Sequence, residues 1–127
     1  RIGDYAEGIC KVVVRAGGKL ADPLPGPIEE MFHEARSMLS RARDALVLRD
    51  PTLNLQLKAD DDHVDALYEQ LTNATTAVMR HDPDFVLNGI YLLWVGHNLE
   101  RIADRATNIA EYVEYIVRGT ISSRSDE

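Results

Sequence analysis

Apolar residues recur at three- and four-residue steps along nearly the whole chain, and no stretch alternates with a period of two for long enough to make a strand. Leu92, Val95, Leu99, Ile102, Ala106, Ile109, Val113 and Ile116 form the longest such stripe and predict an amphipathic helix over 83–118. Ile28, Met31, Phe32, Ala35, Leu39, Ala42 and Leu46 predict a helix over 27–49, and Leu53, Leu57, Val64, Leu67, Leu71 and Val78 one over 51–81. At the amino end Ile2, Ala6, Ile9, Val13 and Ala16 predict a further helix over 1–16. Its β-branched run Val12-Val13-Val14 sits inside the helical period, where packing outweighs so weak a propensity.

The punctuation agrees with the periods. Gly17-Gly18 stops the first helix, and Pro27, Pro51 and Pro83 each suit a first helical position, where a missing N–H costs nothing. Asp50 and Asp82 precede two of these prolines as N-caps, and Gly119 stands where a C-cap glycine belongs. Residues 19–26, with Pro23, Pro25 and Gly26, read as an extended linker, and 121–127 as a patternless, mobile tail. Short connections between long amphipathic helices imply antiparallel neighbours. The predicted fold is all-α: an antiparallel three-helix bundle over 27–120, preceded by one extra helix over 1–18.

Composition narrows the function classes. The chain has 127 residues, 45% hydrophobic, 28% charged and 6% aromatic, which suits one helical domain. A formal charge of −7 argues against a nucleic-acid surface and favours cations or basic partners. Cys10 is the only cysteine, so no internal disulfide forms, consistent with a reducing compartment. No apolar run reaches the length of a membrane span.

Two pairs of acids stand out. Glu100 and Asp104 are four residues apart on the last helix, and Asp61 and Asp65 on the one before. On a helical wheel Glu100, Asp104 and Glu111 fall opposite the apolar stripe, with His97 and Asn108 beside them. Hard cations take several oxygens at once, and clustered carboxylates supply them. A solvated acidic face with Arg101 and Arg105 as counter-charges reads the same residues without a metal. His97 reads as a surface or packing histidine, with nitrogen ligation as the alternative, and Trp94 as a packing residue at a helix interface. Glu30-Met31-Phe32-His33 holds the Glu-x-x-His half-motif of di-iron carboxylate bundles, but only once. There is no Gly-rich phosphate loop, nucleophile elbow or Cys-x-x-Cys.

The motif also repeats. Arg1-Ile2-Gly3-Asp4-Tyr5-Ala6-Glu7-Gly8-Ile9 aligns with Arg101-Ile102-Ala103-Asp104-Arg105-Ala106-Thr107-Asn108-Ile109 at an offset of one hundred residues. The residue matching Glu100 is absent from the first copy, so the chain reads as a fragment opening in the last helix of an earlier repeat. Leu99-Glu100-Arg101-Ile102-Ala103-Asp104-Arg105-Ala106-Thr107-Asn108-Ile109-Ala110-Glu111 resembles the signature of the PhoU family of phosphate-uptake regulators. Arg1 to Ile9 and Asp61-Asp62-His63-Val64-Asp65-Ala66-Leu67-Tyr68 are similar to that family's other recurring segments.

The resemblance implies two three-helix repeats, of which this chain would hold the last helix of the first and all of the second. It implies a cytoplasmic, non-enzymatic accessory protein that restrains the phosphate-starvation response. Contacts with the ATPase of a phosphate ABC transporter and with a sensor histidine kinase would carry that role. It also implies iron, zinc or other metal ions on Asp61, Asp65, Glu100 and Asp104, with Asp4 at the matching position of the first repeat. A homodimer paired through the first helix is expected, with docking of that helix on its own bundle as the other option. The competing readings are a di-iron bundle enzyme and a PhoU-like domain serving another transporter.

Overall fold

A computed structural model describes residues 1–21 and 24–119. Pro23 and the tail expected at 121–127 lie outside the described residues. Four α-helices follow one another: α1 (Ile2–Arg15), α2 (Gly26–Leu48), α3 (Asn54–His81) and α4 (Val86–Arg118). The described residues contain no strand. Two short 3-10 turns, Pro51–Leu53 and Pro83–Phe85, lead into α3 and α4.

Local chemistry explains the ends. Asp50 accepts a hydrogen bond from the Thr52 N–H at 2.9 Å, and Asp82 accepts one from the Asp84 N–H at 3.0 Å. The starts led by Pro51 and Pro83 are therefore capped as expected, but over a tighter turn before the α-helix proper. Gly17 and Gly18 take φ of 79° and 88° beyond α1, and Gly119 closes α4 at φ 76° with its N–H donating to the Tyr115 carbonyl. α2 ends differently. Arg49, not a glycine, adopts the left-handed conformation at φ 53°.

α4 is the axis of the molecule. α1, α2 and α3 all pack on it, and α2 and α3 also pack on each other, while the helix contacts of α1 are with α4 alone. The core joins Met31, Met38, Leu57, Leu71 and Leu92, all fully buried. Alanines at 35, 42 and 45 on α2 and at 103, 106 and 110 on α4 are buried too, so these two helices approach closely. Gly96 lets α4 approach α3 as well. A Cβ there would sit 2.6 Å from Leu71 Cδ2.

α1 docks through Val12, which is buried, and through Ile9, Val13 and Ala16. Gly8 lets it approach Asn98, whose Oδ1 would lie 3.2 Å from an added Cβ. Leu20, expected in a linker, is buried in the same core. Each such aliphatic side chain contributes about 1.5–3 kcal/mol when removed from water. Several stripe positions turn outward instead. Ala6, Phe32, Leu46, Val78 and Ile116 are exposed, and Met38, Ala45, Ala103 and Ala110 take the core places beside them. Trp94, expected to pack, is 50% exposed.

Candidate functional site

α3 and α4 run antiparallel, so residue numbers climb on one as they fall on the other. Their shared face is a ladder of polar pairs. At one end the Asn54 amide donates to the Glu114 carboxylate, both groups being buried. One turn on, Lys58 Nζ lies 3.7 Å from Glu111 Oε1 with its side chain only 13% exposed. Next come Asp61 beside Asp104 and Asp65 beside Glu100. The Tyr68 and His97 rings close the series with centroids 6.5 Å apart.

The acids do not lie where the wheel put them. Glu100 and Asp104 are half-buried against α3, not on an outward face. Glu111 likewise turns to Lys58. α4 has neighbours on three sides, so little of its circumference is left for solvent.

Like charges drawn together out of water raise one another's proton affinity. Asp61 is pushed up from 3.8 to about 7, chiefly by burial, then by the charges of Asp104 and Asp65, a hydrogen bond shared with Asp104, and the charge of Glu100. Glu100 is pushed up from 4.5 to about 7, first by burial, then by a hydrogen bond with Asp65 and the charges of Asp65 and Asp104; Arg101 offsets part of this. Each cross-helix couple therefore holds a proton near neutrality. Tyr68, at the edge of the cluster, is raised by burial and by the charge of Glu100.

The sequence-predicted acids thus separate into two groups. Asp61, Asp65, Glu100 and Asp104 come together on one face. Asp4 sits exposed on α1 and is not among the groups that perturb either raised carboxyl. The arginines expected as counter-charges contribute little. Arg101 Nη1 reaches Asp104 Oδ2 at 3.9 Å, and Arg105 makes no ion pair among the described residues. The neighbouring Asp60 is engaged elsewhere, 2.6 Å from Arg41 Nη2 on α2.

The donor chemistry suits a hard cation: four carboxylates share one face, and Asp61 Oδ1 is buried without a hydrogen-bond partner. The side chains are nevertheless paired two by two. Among the described residues no three His, Cys, Asp or Glu side chains are arranged to hold a metal ion. Glu30 and His33, the di-iron half-motif, are both exposed on α2.

Sequence reasoning missed Lys58, which read as an ordinary surface lysine. The available signal was its spacing, three residues before Asp61 and seven before Asp65, on the same side of α3. Asn54 and Glu114 carried no comparable signal, because their hydrogen bond to each other forms across the helix interface.

The chain matches the PhoU domain family over residues 28–113. It is 33% identical over 119 residues to the phosphate-specific transport system accessory protein PhoU homolog of Clostridium acetobutylicum, covering 94% of this chain and 54% of that protein. It is 36% identical over 120 residues to the homolog of the same name in Synechocystis, with 94% and 53% covered. Against the accessory protein PhoU of Escherichia coli it is 29% identical over 119 residues, with 94% and 49% covered. These relatives are named as accessory proteins, not as enzymes. The chain spans about half the length of the curated relatives it matches. No solved structure matches it.

Proposed function

Because the chain belongs to the PhoU family, we propose that it is a regulatory accessory protein of phosphate uptake, acting through protein contacts and not through catalysis. Its role is to restrain the phosphate-starvation response and high-affinity transport when phosphate is plentiful. The partners proposed are the ATPase of a phosphate ABC transporter and a sensor histidine kinase, met in the cytoplasm. No helix among the described residues is long and apolar enough to cross a membrane, so such contacts would be made from one side of it. The observation that carries this reading is the family match across residues 28–113, with relatives named for phosphate-specific transport.

The test is genetic. Deleting the gene in its own host should switch on a promoter induced by phosphate starvation even in phosphate-rich medium. A deletion strain with that promoter silent and with unchanged phosphate uptake would overturn the reading. A change in the uptake of a different ion alone would reassign the domain to another transporter.

We also propose that Asp61, Asp65, Glu100 and Asp104 hold a hard divalent or trivalent cation in place of the protons their couples share. Iron, zinc and similar ions are the expected occupants. What supports this is the convergence of the four carboxyls, with burial first and then their mutual interaction raising two of them. A cation would bring positive charge to neutralise the couples, and it would compete with protons, so affinity should rise with pH. Elemental analysis of protein purified without chelator tests it. Metal content that persists in the Asp65→Ala, Asp104→Ala double variant would place any bound ion elsewhere. A homodimer through α1 belongs to the same proposal. The Ile2, Ala6 and Cys10 face of that helix lines an open apolar groove of about 820 Å³ between α1 and α2, and sedimentation measures whether a second copy covers it.

A further inference from the structure

We propose that His97 is a nitrogen ligand of the cation site on Asp61, Asp65, Glu100 and Asp104, and that its imidazole makes the site select transition ions such as Zn²⁺ over Mg²⁺ and Ca²⁺. The inference rests on the cation reading given above and adds to it the residue that decides which ions are taken.

Placement singles His97 out among the four histidines of the chain. His33, His63 and His81 are exposed, whereas His97 is half-buried on the side of α4 that meets α3. At about 100° per residue, His97, Glu100 and Asp104 fall within about 60° of one another on the helix wheel. They form a His-x-x-Glu-x-x-x-Asp run along one side of α4. Residues three apart on a helix are neighbours, so the ring stands one turn from the Glu100 carboxyl. Contacts across the helix pair place it there independently. The His97 and Tyr68 ring centroids are 6.5 Å apart, and Tyr68 in turn feels the charge of Glu100. Asp65, which shares a hydrogen bond with Glu100, precedes Tyr68 by three residues on α3. His97 thus occupies the rung next to the couple of Asp65 and Glu100.

The ring is flanked, but its nitrogens are unused. Trp94 lies 5.8 Å from it between centroids, at an interplanar angle of 34°, with Tyr68 on α3 as the other neighbour. Among the described residues neither ring nitrogen has a hydrogen-bond or ion-pair partner. A packing histidine drawn partly out of water normally spends a nitrogen on a carbonyl or carboxylate, and His97 spends neither. Among the described residues no three such side chains surround one point. With no hydrogen bond to break, the His97 ring can turn toward Glu100.

Spacing and donor type then fix the chemistry. In di-iron bundles a Glu and a His three residues apart supply ligands from one helix, and His97 with Glu100 is that pair in reverse order. The other such pair, Glu30 with His33, is exposed on α2, and His33 turns to Glu29 at 3.8 Å instead. Carboxylates alone suit Mg²⁺ and Ca²⁺, whereas imidazole suits zinc, iron and their neighbours. One nitrogen among the oxygens therefore moves the preference toward the transition ions.

Titration of the chelator-stripped chain with Zn²⁺, followed through its histidine ring-nitrogen and carboxyl-carbon NMR signals, tests this. The His97 ring and the Asp65 and Glu100 carboxyls should shift together and saturate together, with His33, His63 and His81 unmoved. His97→Gln should weaken Zn²⁺ binding at least about tenfold and change Mg²⁺ binding by less than about twofold. The ring signal is read on the unaltered chain, so it decides the matter even if His97→Gln folds poorly. Carboxyl shifts with a silent His97 ring, or equal Zn²⁺ affinity in His97→Gln and wild type, would overturn the inference and leave the cation reading standing. Carboxyls and ring both silent at high Zn²⁺ and Mg²⁺ would overturn both.

Discussion

The acid cluster should make the protein lose stability as the pH rises through neutrality, and removing two of its carboxyls should abolish that loss. Asp61 and Glu100 bind protons more tightly folded than unfolded, with folded values of about 7 against 3.8 and 4.5. An acid shifted upward stabilises the fold fully below its unfolded value, and that contribution disappears as pH climbs through the folded one. The window therefore runs from about pH 4 to about pH 7. At about 1.4 kcal/mol per unit, shifts of this size would amount to several kcal/mol. Both carboxyls are only half-buried and screened by solvent, so about 1–2 kcal/mol for the two together is the appropriate magnitude. Asp61→Asn with Glu100→Gln keeps the shapes and the hydrogen-bonding capacity and deletes the titration. Urea unfolding in the presence of chelator, repeated from pH 4.5 to 8, isolates the effect as the difference between wild type and variant. The variant should gain about 1–2 kcal/mol relative to wild type across that range, a shift of roughly 0.5–1 M in urea midpoint. Other titrating groups cancel in the difference. A difference that stays flat with pH, or a variant less stable than wild type at pH 8 by as much as at pH 4.5, would refute the reasoning.

Three further outcomes follow from packing. Gly96→Ala should destabilise by about 1–3 kcal/mol in thermal unfolding, because Leu71, 2.6 Å from the new methyl and itself fully buried, has no room to withdraw. Gly89→Ala should cost less, since its nearest neighbour is the flexible end of Met79. Glu114→Ala should cost about 2–4 kcal/mol in chemical denaturation, because it removes a buried hydrogen bond to the Asn54 amide and opens a cavity. Arg49→Gly should stabilise by about 0.5–1 kcal/mol, since glycine takes the left-handed conformation at φ 53° without the steric cost of a side chain.

What the sequence determined by itself was everything carried by local order. The four helices, their proline-led starts with Asp50 and Asp82 as caps, and the glycine at the end of α4 depend on neighbours within a few residues. So does the pairing of acids one turn apart on two consecutive helices, from which their convergence could be expected. The tertiary structure decided how each helix is rotated about its own axis. A single stripe describes a helix with one buried side, and α4 is covered on three. Ala103 and Ala110 therefore join its core, and Glu100, Asp104 and Glu111 turn toward α3 instead of solvent. The same rotation leaves Trp94 half exposed. Lys58 with Glu111 and Asn54 with Glu114 were illegible for a simpler reason. Each pair brings together residues far apart in the chain, and the chemistry exists only at the interface that the packing creates.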